Sequence, residues 1–483
     1  MVFNLFIALD LILLMIILVF LSLLLYKNKK NLGKEGALLL YRTKWGIKLI
    51  EKIGGQYKKT LKFLSYIAIV LGYFLMAGII YLFGNSVWQY LTNSVVLETT
   101  GKAPPIAPVL PYFPQLFGWG DFFPAFYFIY FLAAITVVMF VHEFSHGIFA
   151  KRWGVRIKST GFAFLKYFPL IYGAFVEQDD KQMTKKSIFK QMSILSAGVF
   201  ANILTALLFF ILLVAFFNVA YAPSGAVFQD YSYAIVSTSS VTAIGNISLN
   251  SPNQEEIIQI LENNSNENIS VNGKEFNQIK SLIPDNEKYI VVYENAPAIN
   301  SGLKGIITSI NEEDIKTRED LKTRLSEFSP GNKINITTQL LNGSLKNYEI
   351  TLGEHPLDSK MAYVGIVSVP DKNPVVKNIA HFFSSFRPIN LQIKSGTFYT
   401  PTLGNYSEFI YYLLFWIVLI NLLVGLFNML PLGFLDGGRF FYLTILAITR
   451  KEKIAQKVFS GMGYFILFLL VLLMVRWFFI LGM

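Results

Sequence analysis

Two histidines and a glutamate with the spacing of a metal site lie at the end of an apolar stretch, between Val141 and Gly147. On a helix, residues four apart lie on one face, so His142 and His146 can bind one metal ion through their rings. Glu143 adjoins these ligands and is placed to take a proton from a water molecule. The pattern therefore predicts metal-assisted hydrolysis, with zinc as the metal and peptide bonds as the substrate.

The composition indicates that this motif belongs to a membrane protein. Of the 483 residues, 53% are hydrophobic and 15% are charged. A soluble chain needs roughly a quarter of charged residues to cover its surface, so much of this surface faces lipid. The net charge of +11 does not indicate nucleic acid, because the basic residues lie mainly beside apolar runs, where they set membrane topology. We predict the lipid bilayer as a partner and no nucleic acid.

Six apolar runs are long enough to span a bilayer as helices. They lie at about residues 3–26, 63–83, 122–150, 194–219, 409–430 and 462–481. The motif ends the third run, and ionisable residues inside a membrane are costly enough to indicate a functional site. The first run is too long for the core of a signal peptide and has no basic region before it, so we interpret it as a retained anchor.

Lysine and arginine in the short loops predict the orientation of the spans, because these residues stay on the cytoplasmic side. Residues 27–59, 151–190 and 439–457 are rich in basic side chains, whereas the loop at about 84–121 has little charge and several prolines. These assignments alternate without conflict. We expect both termini and residues 221–406 to lie outside the cell membrane, with the metal motif facing the cytoplasm.

A zinc site of this kind needs a third protein ligand. The chain has no cysteine and four histidines, so the ligand must be a histidine or a carboxylate. His355 and His381 fall in the outside segment, and we interpret them as ordinary surface residues. Asp436 follows the fifth run, which crosses the membrane in the same direction as the third. Pro431 and the glycines after Asp436 break the helix and let the carboxylate turn inward, so Asp436 is the predicted third ligand.

The two motifs together resemble the site-two protease family of intramembrane zinc metalloproteases. The resemblance rests on His-Glu-x-x-His at residues 142–146, and on Asn-x-x-Pro at residues 428–431 followed by Leu-Asp-Gly at residues 435–437. Their order, their wide separation and their placement in spans also match.

This resemblance implies a ligand set, a general base and a substrate class. It implies that His142, His146 and Asp436 bind Zn²⁺ and that Glu143 acts as the general base. It also implies that the substrates are membrane proteins whose transmembrane helices are cut within the bilayer.

Residues 161–180 are similar to the membrane-dipping β-hairpin of that family. A helix hides its peptide carbonyls, so a substrate must unwind before it is cut. An exposed strand edge can pair with the released backbone. We expect the hairpin to contact the substrate through Gly161, Phe162, Ala174 and Phe175. Asn428, beside the third ligand, can offer its amide to the same stretch of substrate.

The polar segment between the fourth and fifth runs predicts an inserted soluble domain. It contains short strand-like runs, and residues 295–311 are similar to part of a PDZ domain. The predicted fold class is a polytopic α-helical membrane protein of about six spans with an inserted α+β PDZ-like domain. The predicted parts are an N-terminal membrane anchor and basic cytoplasmic loop (1–60), a membrane core with the zinc motif and the β-hairpin (61–220), the extracytoplasmic PDZ-like domain (221–406) and a membrane core with the third zinc ligand (407–483).

Three other functions are compatible with parts of this pattern. A multi-span zinc protease that cuts soluble segments usually takes its third ligand from a downstream glutamate, whereas the Leu-Asp-Gly turn favours cleavage inside the membrane. A non-catalytic membrane protein that binds peptides through a PDZ-like domain has no need of an intact Glu143. A transporter should show paired broken helices from internal repeats, a pattern that is not seen here. The favoured prediction is an intramembrane zinc metalloprotease.

Overall fold

The computed structural model describes residues 5–29, 32–92, 109–120, 123–166, 168–263, 268–282, 288–340, 342–368, 393–394 and 396–480. The chain divides into two compact units. We call them the membrane unit, residues 1–218 and 405–483, and the inserted unit, residues 219–404. His381 lies outside the described residues.

The secondary structure is labelled in chain order for the described residues. The helices are α1 (Leu5–Lys27), α2 (Ile47–Gln56), α3 (Lys58–Thr92), α4 (Phe113–Leu116), α5 (Phe128–Arg152), α6 (Asp180–Thr184), α7 (Ile188–Ala220), α8 (Gln254–Asn263), α9 (Pro297–Asn300), α10 (Arg318–Leu325), α11 (Asn405–Phe427), α12 (Asp436–Thr449) and α13 (Glu452–Ile480). The strands are β1 (Leu32–Glu35), β2 (Leu38–Thr43), β3 (Ile157–Leu165), β4 (Phe168–Gln178), β5 (Tyr221–Ala226), β6 (Phe228–Tyr231), β7 (Tyr233–Ser237), β8 (Val241–Ile244), β9 (Ile247–Ser248), β10 (Ile269–Val271), β11 (Lys274–Leu282), β12 (Tyr289–Glu294), β13 (Ile306–Ile310), β14 (Glu313–Asp314), β15 (Lys333–Gln339), β16 (Leu345–Thr351), β17 (Gly353–His355), β18 (Asp358–Tyr363), β19 (Ile366–Ser368), β20 (Ile393–Lys394) and β21 (Thr397–Pro401).

Among the described residues, six helices are long and apolar enough to cross a membrane: α1, α3, α5, α7, α11 and α13. They confirm the six predicted spans, although some ends differ. The third span begins at Phe128 rather than at about residue 122. The side chain of Asp10, on α1, accepts hydrogen bonds from the backbone N–H groups of Phe128 and Ile129 at 2.7 and 2.9 Å. These are donors that a helix start leaves without partners, so Asp10 defines where α5 begins.

The helix α5, which carries the metal motif, packs against α2, α11 and β4. Its close packing depends on Gly147, directly after the second histidine of the motif. A Cβ at Gly147 would lie 3.0 Å from side-chain atoms of both Ile50 on α2 and Val176 on β4. The absence of a side chain at this position therefore lets a helix and a strand approach α5 beside the motif.

The predicted hairpin is part of a four-stranded antiparallel sheet with strand order β1-β2-β3-β4. Sequence analysis placed residues 32–43 in a basic loop, but they form β1 and β2, and β2 pairs with β3. The hairpin of β3 and β4 begins at Ile157, four residues before the predicted start. The strand β4 forms one edge of the sheet.

The inserted unit contains two larger sheets with separate hydrophobic cores. One sheet has the order β7-β12-β11-β10-β8-β9, and α8 packs on its core through Ile257. The other has the order β16-β15-β13-β5-β21-β20, and α9 and α10 pack on its core through Ala298 and Leu321. The unit is thus α+β, and it is larger than the segment on which the PDZ resemblance rests. That resemblance stays a prediction.

Candidate metal centre

Three predicted ligands meet in the membrane unit. His142 and His146 lie one turn apart on α5, and Asp436 is the first residue of α12. The two Nε2 atoms are 3.1 Å apart. The Oδ2 atom of Asp436 lies 3.2 Å from Nε2 of His142 and 3.1 Å from Nε2 of His146. Both histidines are buried. Among the described residues, these three are the group of His, Asp or Glu side chains that could hold a metal ion.

The distances between these atoms fit a single small cation. Two imidazole nitrogens and a carboxylate oxygen are a donor set that zinc accepts, and three protein ligands leave a fourth position open for water or substrate. Atoms about 2.0–2.2 Å from a tetrahedral ion lie roughly 3.4 Å from one another. The observed separations of 3.1 to 3.2 Å agree with this value within a few tenths of an ångström.

A tight backbone turn delivers Asp436 to the histidines. The turn follows α11, and the N–H of Gly437 donates to the carbonyl oxygen of Asn428 at 2.7 Å. A Cβ at Gly437 would lie 2.3 Å from the carbonyl carbon of Met429, and one at Gly438 would lie 2.0 Å from the oxygen of Leu432. The turn therefore requires both glycines, because a side chain at either position would collide with the backbone. The sequence analysis predicted only that they break the helix.

The helix α7 packs against both histidines along one stripe. The carbonyl oxygen of Ile194 lies 2.7 Å from Nδ1 of His146, and Nδ2 of Asn202 lies 3.0 Å from Nδ1 of His142. Between them, a Cβ at Gly198 would lie 2.5 Å from Nε2 of His146. The sequence analysis did not predict this contact between α7 and the ligands. The spacing of four residues between these positions was the signal that could have found it.

The predicted general base is held by the neighbouring strand. The Oε2 atom of Glu143 accepts a hydrogen bond from the backbone N–H of Val176, on β4, at 3.0 Å. The N–H of Ala174, two residues earlier, points to the sulfur of Met139 at 3.1 Å. The outer edge of β4 therefore faces α5, and one of its N–H groups fixes an oxygen of Glu143. Sequence analysis did not find this bond.

The structure separates the four hairpin residues expected to contact substrate. Gly161 and Phe162 lie on β3, whose backbone pairs with β2 on one side and with β4 on the other. Their backbone groups are thus not available to an added strand. Ala174 and Phe175 lie on the edge strand β4, and Phe175 pairs inward with Gly161. Of the two described strands of the hairpin, β4 lies at the edge of the sheet and β3 has a neighbouring strand on each side.

A cavity of about 590 Å³ connects the ligands with this edge. Glu143, Ala174 and Asn428 line it together with the three predicted ligands. Glu177 and Arg439 add charges to its wall. The hydroxyl of Ser159 donates to Glu177 at 2.6 Å and, with Arg42, holds the pKa of Glu177 below its ordinary value. Glu177 is therefore ionised at neutral pH.

The sequence profile of peptidase family M50 matches residues 130–471, which is more than half of the chain. The chain belongs to peptidase family M50. The matched residues include both histidines, the glutamate between them and the aspartate that meets them. With its six long apolar helices, this M50 member is a multi-pass integral membrane protein.

Several curated proteins are similar to this M50 chain over part of their length. An uncharacterised protein of Methanocaldococcus jannaschii is 32% identical over 197 residues, which are 40% of this chain and 48% of that protein. The zinc metalloprotease RasP of Geobacillus kaustophilus is 41% identical over 71 residues, which are 14% of this chain and 16% of that protein. The zinc metalloprotease RasP of Shouchella clausii is 25% identical over 202 residues, which are 38% of this chain and 47% of that protein. The chain thus matches about half or less of the length of these relatives.

Proposed function

We propose that this M50 protein is a zinc metalloprotease that hydrolyses peptide bonds within the transmembrane helices of other proteins. The observation that carries the proposal is the meeting of three ligand atoms, 3.1 to 3.2 Å apart, from helices of a membrane unit. Glu143 lines the same cavity. The family membership and the two RasP relatives indicate zinc as the cofactor.

The residues around the cavity divide the work of hydrolysis. His142, His146 and Asp436 would hold Zn²⁺, which would supply Lewis-acid activation of the attacking water and of the scissile carbonyl. The Oε2 atom of Glu143 accepts a hydrogen bond from the N–H of Val176. Its Oε1 atom is then the one that takes a proton from the attacking water. The same carboxyl group then gives that proton to the leaving amine, so one residue serves as base and acid in turn.

The edge of β4 supports the assignment of substrate class. A transmembrane helix must unwind locally before a nucleophile reaches its carbonyls, because its backbone hydrogen bonds are satisfied internally. An unwound segment placed along β4 would regain partners for its N–H groups at the carbonyl oxygens of that edge, whose own N–H groups at Ala174 and Val176 already donate to Met139 and Glu143. Asn428, on the wall of the same cavity, offers both a donor and an acceptor to such a segment. The proposal also places the protein in the cell membrane, with the cavity opening toward the cytoplasm.

The substitution Glu143→Gln tests the catalytic role most directly. We expect the variant to bind one zinc ion like the wild type and to lose about 10²–10⁴-fold in cleavage rate, because an amide cannot take the proton. The matched control is Glu51→Gln, since Glu51 pairs with Lys151 at 2.7 Å on the exposed surface of the membrane unit. The assay is cleavage of a membrane protein substrate by purified protein in detergent, with zinc content measured on the same samples. Wild-type turnover by Glu143→Gln would refute the assigned role.

A further inference from the structure

Asn202 is a polar residue on the spanning helix α7, and its side chain is fully buried beside a predicted ligand. Its Nδ2 atom lies 3.0 Å from Nδ1 of His142. Its Oδ1 atom is buried and has no hydrogen-bond partner among the described residues. A buried amide oxygen without a partner costs free energy, so this orientation of the amide is unfavourable.

The role of His142 as a ligand determines which end of the amide it needs. The Nε2 atom of His142 faces the other two ligand atoms, at 3.1 and 3.2 Å. A neutral imidazole carries one N–H, and the nitrogen that binds a metal must keep its lone pair. The hydrogen therefore lies on Nδ1 when Nε2 binds the metal. An Nδ1–H group needs an acceptor, and the NH₂ end of an amide is not one.

We infer that Asn202 is a positioning residue whose side-chain oxygen accepts a hydrogen bond from Nδ1–H of His142 when zinc is bound. A half-turn about the last side-chain bond exchanges Oδ1 and Nδ2, and the two ends of an amide have nearly the same shape. The half-turn gives the unpartnered oxygen the partner that it lacks. The bond then fixes both the tautomer of His142 and the direction of its ring. This inference rests on the proposed zinc site.

The second histidine has an equivalent partner on the same helix. The carbonyl oxygen of Ile194 lies 2.7 Å from Nδ1 of His146. A backbone carbonyl can only accept, so it enforces the N–H on Nδ1 and leaves Nε2 for the metal. Ile194 and Asn202 are eight residues apart, about two helical turns, and thus lie on one face of α7. The helix supplies one acceptor to each histidine, and Asn202 is the one that a substitution can remove.

The test measures zinc affinity, by competition with a chromophoric chelator, on the full-length protein in detergent. We expect Asn202→Leu to lower the affinity by about 10–100-fold, the usual cost of losing the outer partner of a ligand. Asn202→Asp should keep wild-type affinity or exceed it, because a carboxylate accepts from Nδ1–H. The matched control is Asn421→Leu: this amide is fully buried on α11, its Oδ1 is also unpartnered among the described residues, and its Nδ2 donates to Ile417. Its affinity should stay within about twofold of wild type.

Two results would overturn the inference. Wild-type affinity in Asn202→Leu would show that His142 needs no partner, and equal losses in Asn202→Asp and Asn202→Leu would show that the amide acts as a donor. If Asn202→Leu fails to fold, Asn202→Asp alone decides, since an acceptor role predicts retained affinity and a donor role predicts its loss. If the wild-type protein binds no zinc, the proposed function fails and the inference falls with it.

Discussion

Gly198 allows α7 to approach the two histidines closely. A Cβ at this position would lie 2.5 Å from Nε2 of His146 and 2.7 Å from Cε1 of His142, well inside van der Waals contact. We expect Gly198→Ala to displace the rings and to lower zinc affinity about tenfold or more, since overpacking a tight site forces side chains from their places. The zinc-to-protein ratio after dialysis against a weak chelator measures the loss.

A second glycine substitution serves as the control for this prediction. Gly461 also lies on a spanning helix, α13, and a Cβ there would meet nothing within 4 Å. Gly461→Ala should therefore leave the zinc-to-protein ratio unchanged. An equal ratio in wild type and Gly198→Ala would mean that the two helices can separate without cost to the site.

The three metal-ligand candidates, His142, His146 and Asp436, could be predicted from the sequence, because histidine and aspartate side chains are common metal ligands. The two histidines are four residues apart, and the depth of Asp436 follows from the direction of its span, so a one-dimensional pattern was enough. It did not predict the contact of Asn202 with His142 or the bond from Val176 to Glu143. Both partners lie on elements far from the motif in sequence. The four-residue spacing of Ile194, Gly198 and Asn202 indicates one face of α7, but it does not indicate which element that face contacts.

On the scale of whole elements, α1 and α5 are joined by a carboxylate inside the membrane. Asp10 is buried in the first span and accepts hydrogen bonds from Tyr112, Phe128 and Ile129. Two of these donors are the first backbone N–H groups of the helix that carries the metal motif. An acidic group near a helix start also interacts favourably with the positive end of the helix dipole. The first span is thus hydrogen-bonded to the helix that carries the metal motif.

We expect Asp10→Ala to lower the thermal stability of the membrane unit, because it leaves two helix-start donors without the buried acceptor that they have in the wild type. Each buried group left unsatisfied costs about 1–3 kcal/mol. Tyr112→Phe removes one of the three bonds and should cost less. Thermal unfolding of both variants in the same detergent measures the difference. Equal midpoints for Asp10→Ala and wild type would show that the carboxylate does not support α5.

The sheet beside the motif shows what a helix-oriented reading overlooks. The run Leu38–Thr43 has apolar residues in its first half and was counted with a basic loop, yet it forms β2. Its strand character depends on pairing with β3, which follows more than a hundred residues later in the chain. The hairpin of β3 and β4 was found because both of its strands are contiguous in sequence.

For the molecule as a whole, the basic loops predict which parts face the cytoplasm. The chain has no cysteine, so single cysteines can report on topology with no background. We expect Lys29→Cys and Lys185→Cys to be protected from an impermeant thiol reagent in intact cells, and Ser344→Cys in the inserted unit to be labelled. All three positions are exposed on their own units. Labelling at position 185 in intact cells would reverse the proposed orientation.

The two ends of the inserted unit leave it side by side. Tyr221 on β5 pairs with Pro401 on β21, and the N–H of Thr402 donates to the carbonyl of Ala220 at 2.9 Å. Paired residues of antiparallel strands lie about 5 Å apart, so for the rest of the chain this unit is a single short connection between two helices. Replacing residues 222–400 by a few glycines and serines should therefore leave zinc affinity unchanged, whereas lost binding would mean that the ligands depend on the unit. If zinc affinity is retained, the same junction would also accept another folded domain with adjacent termini between α7 and α11.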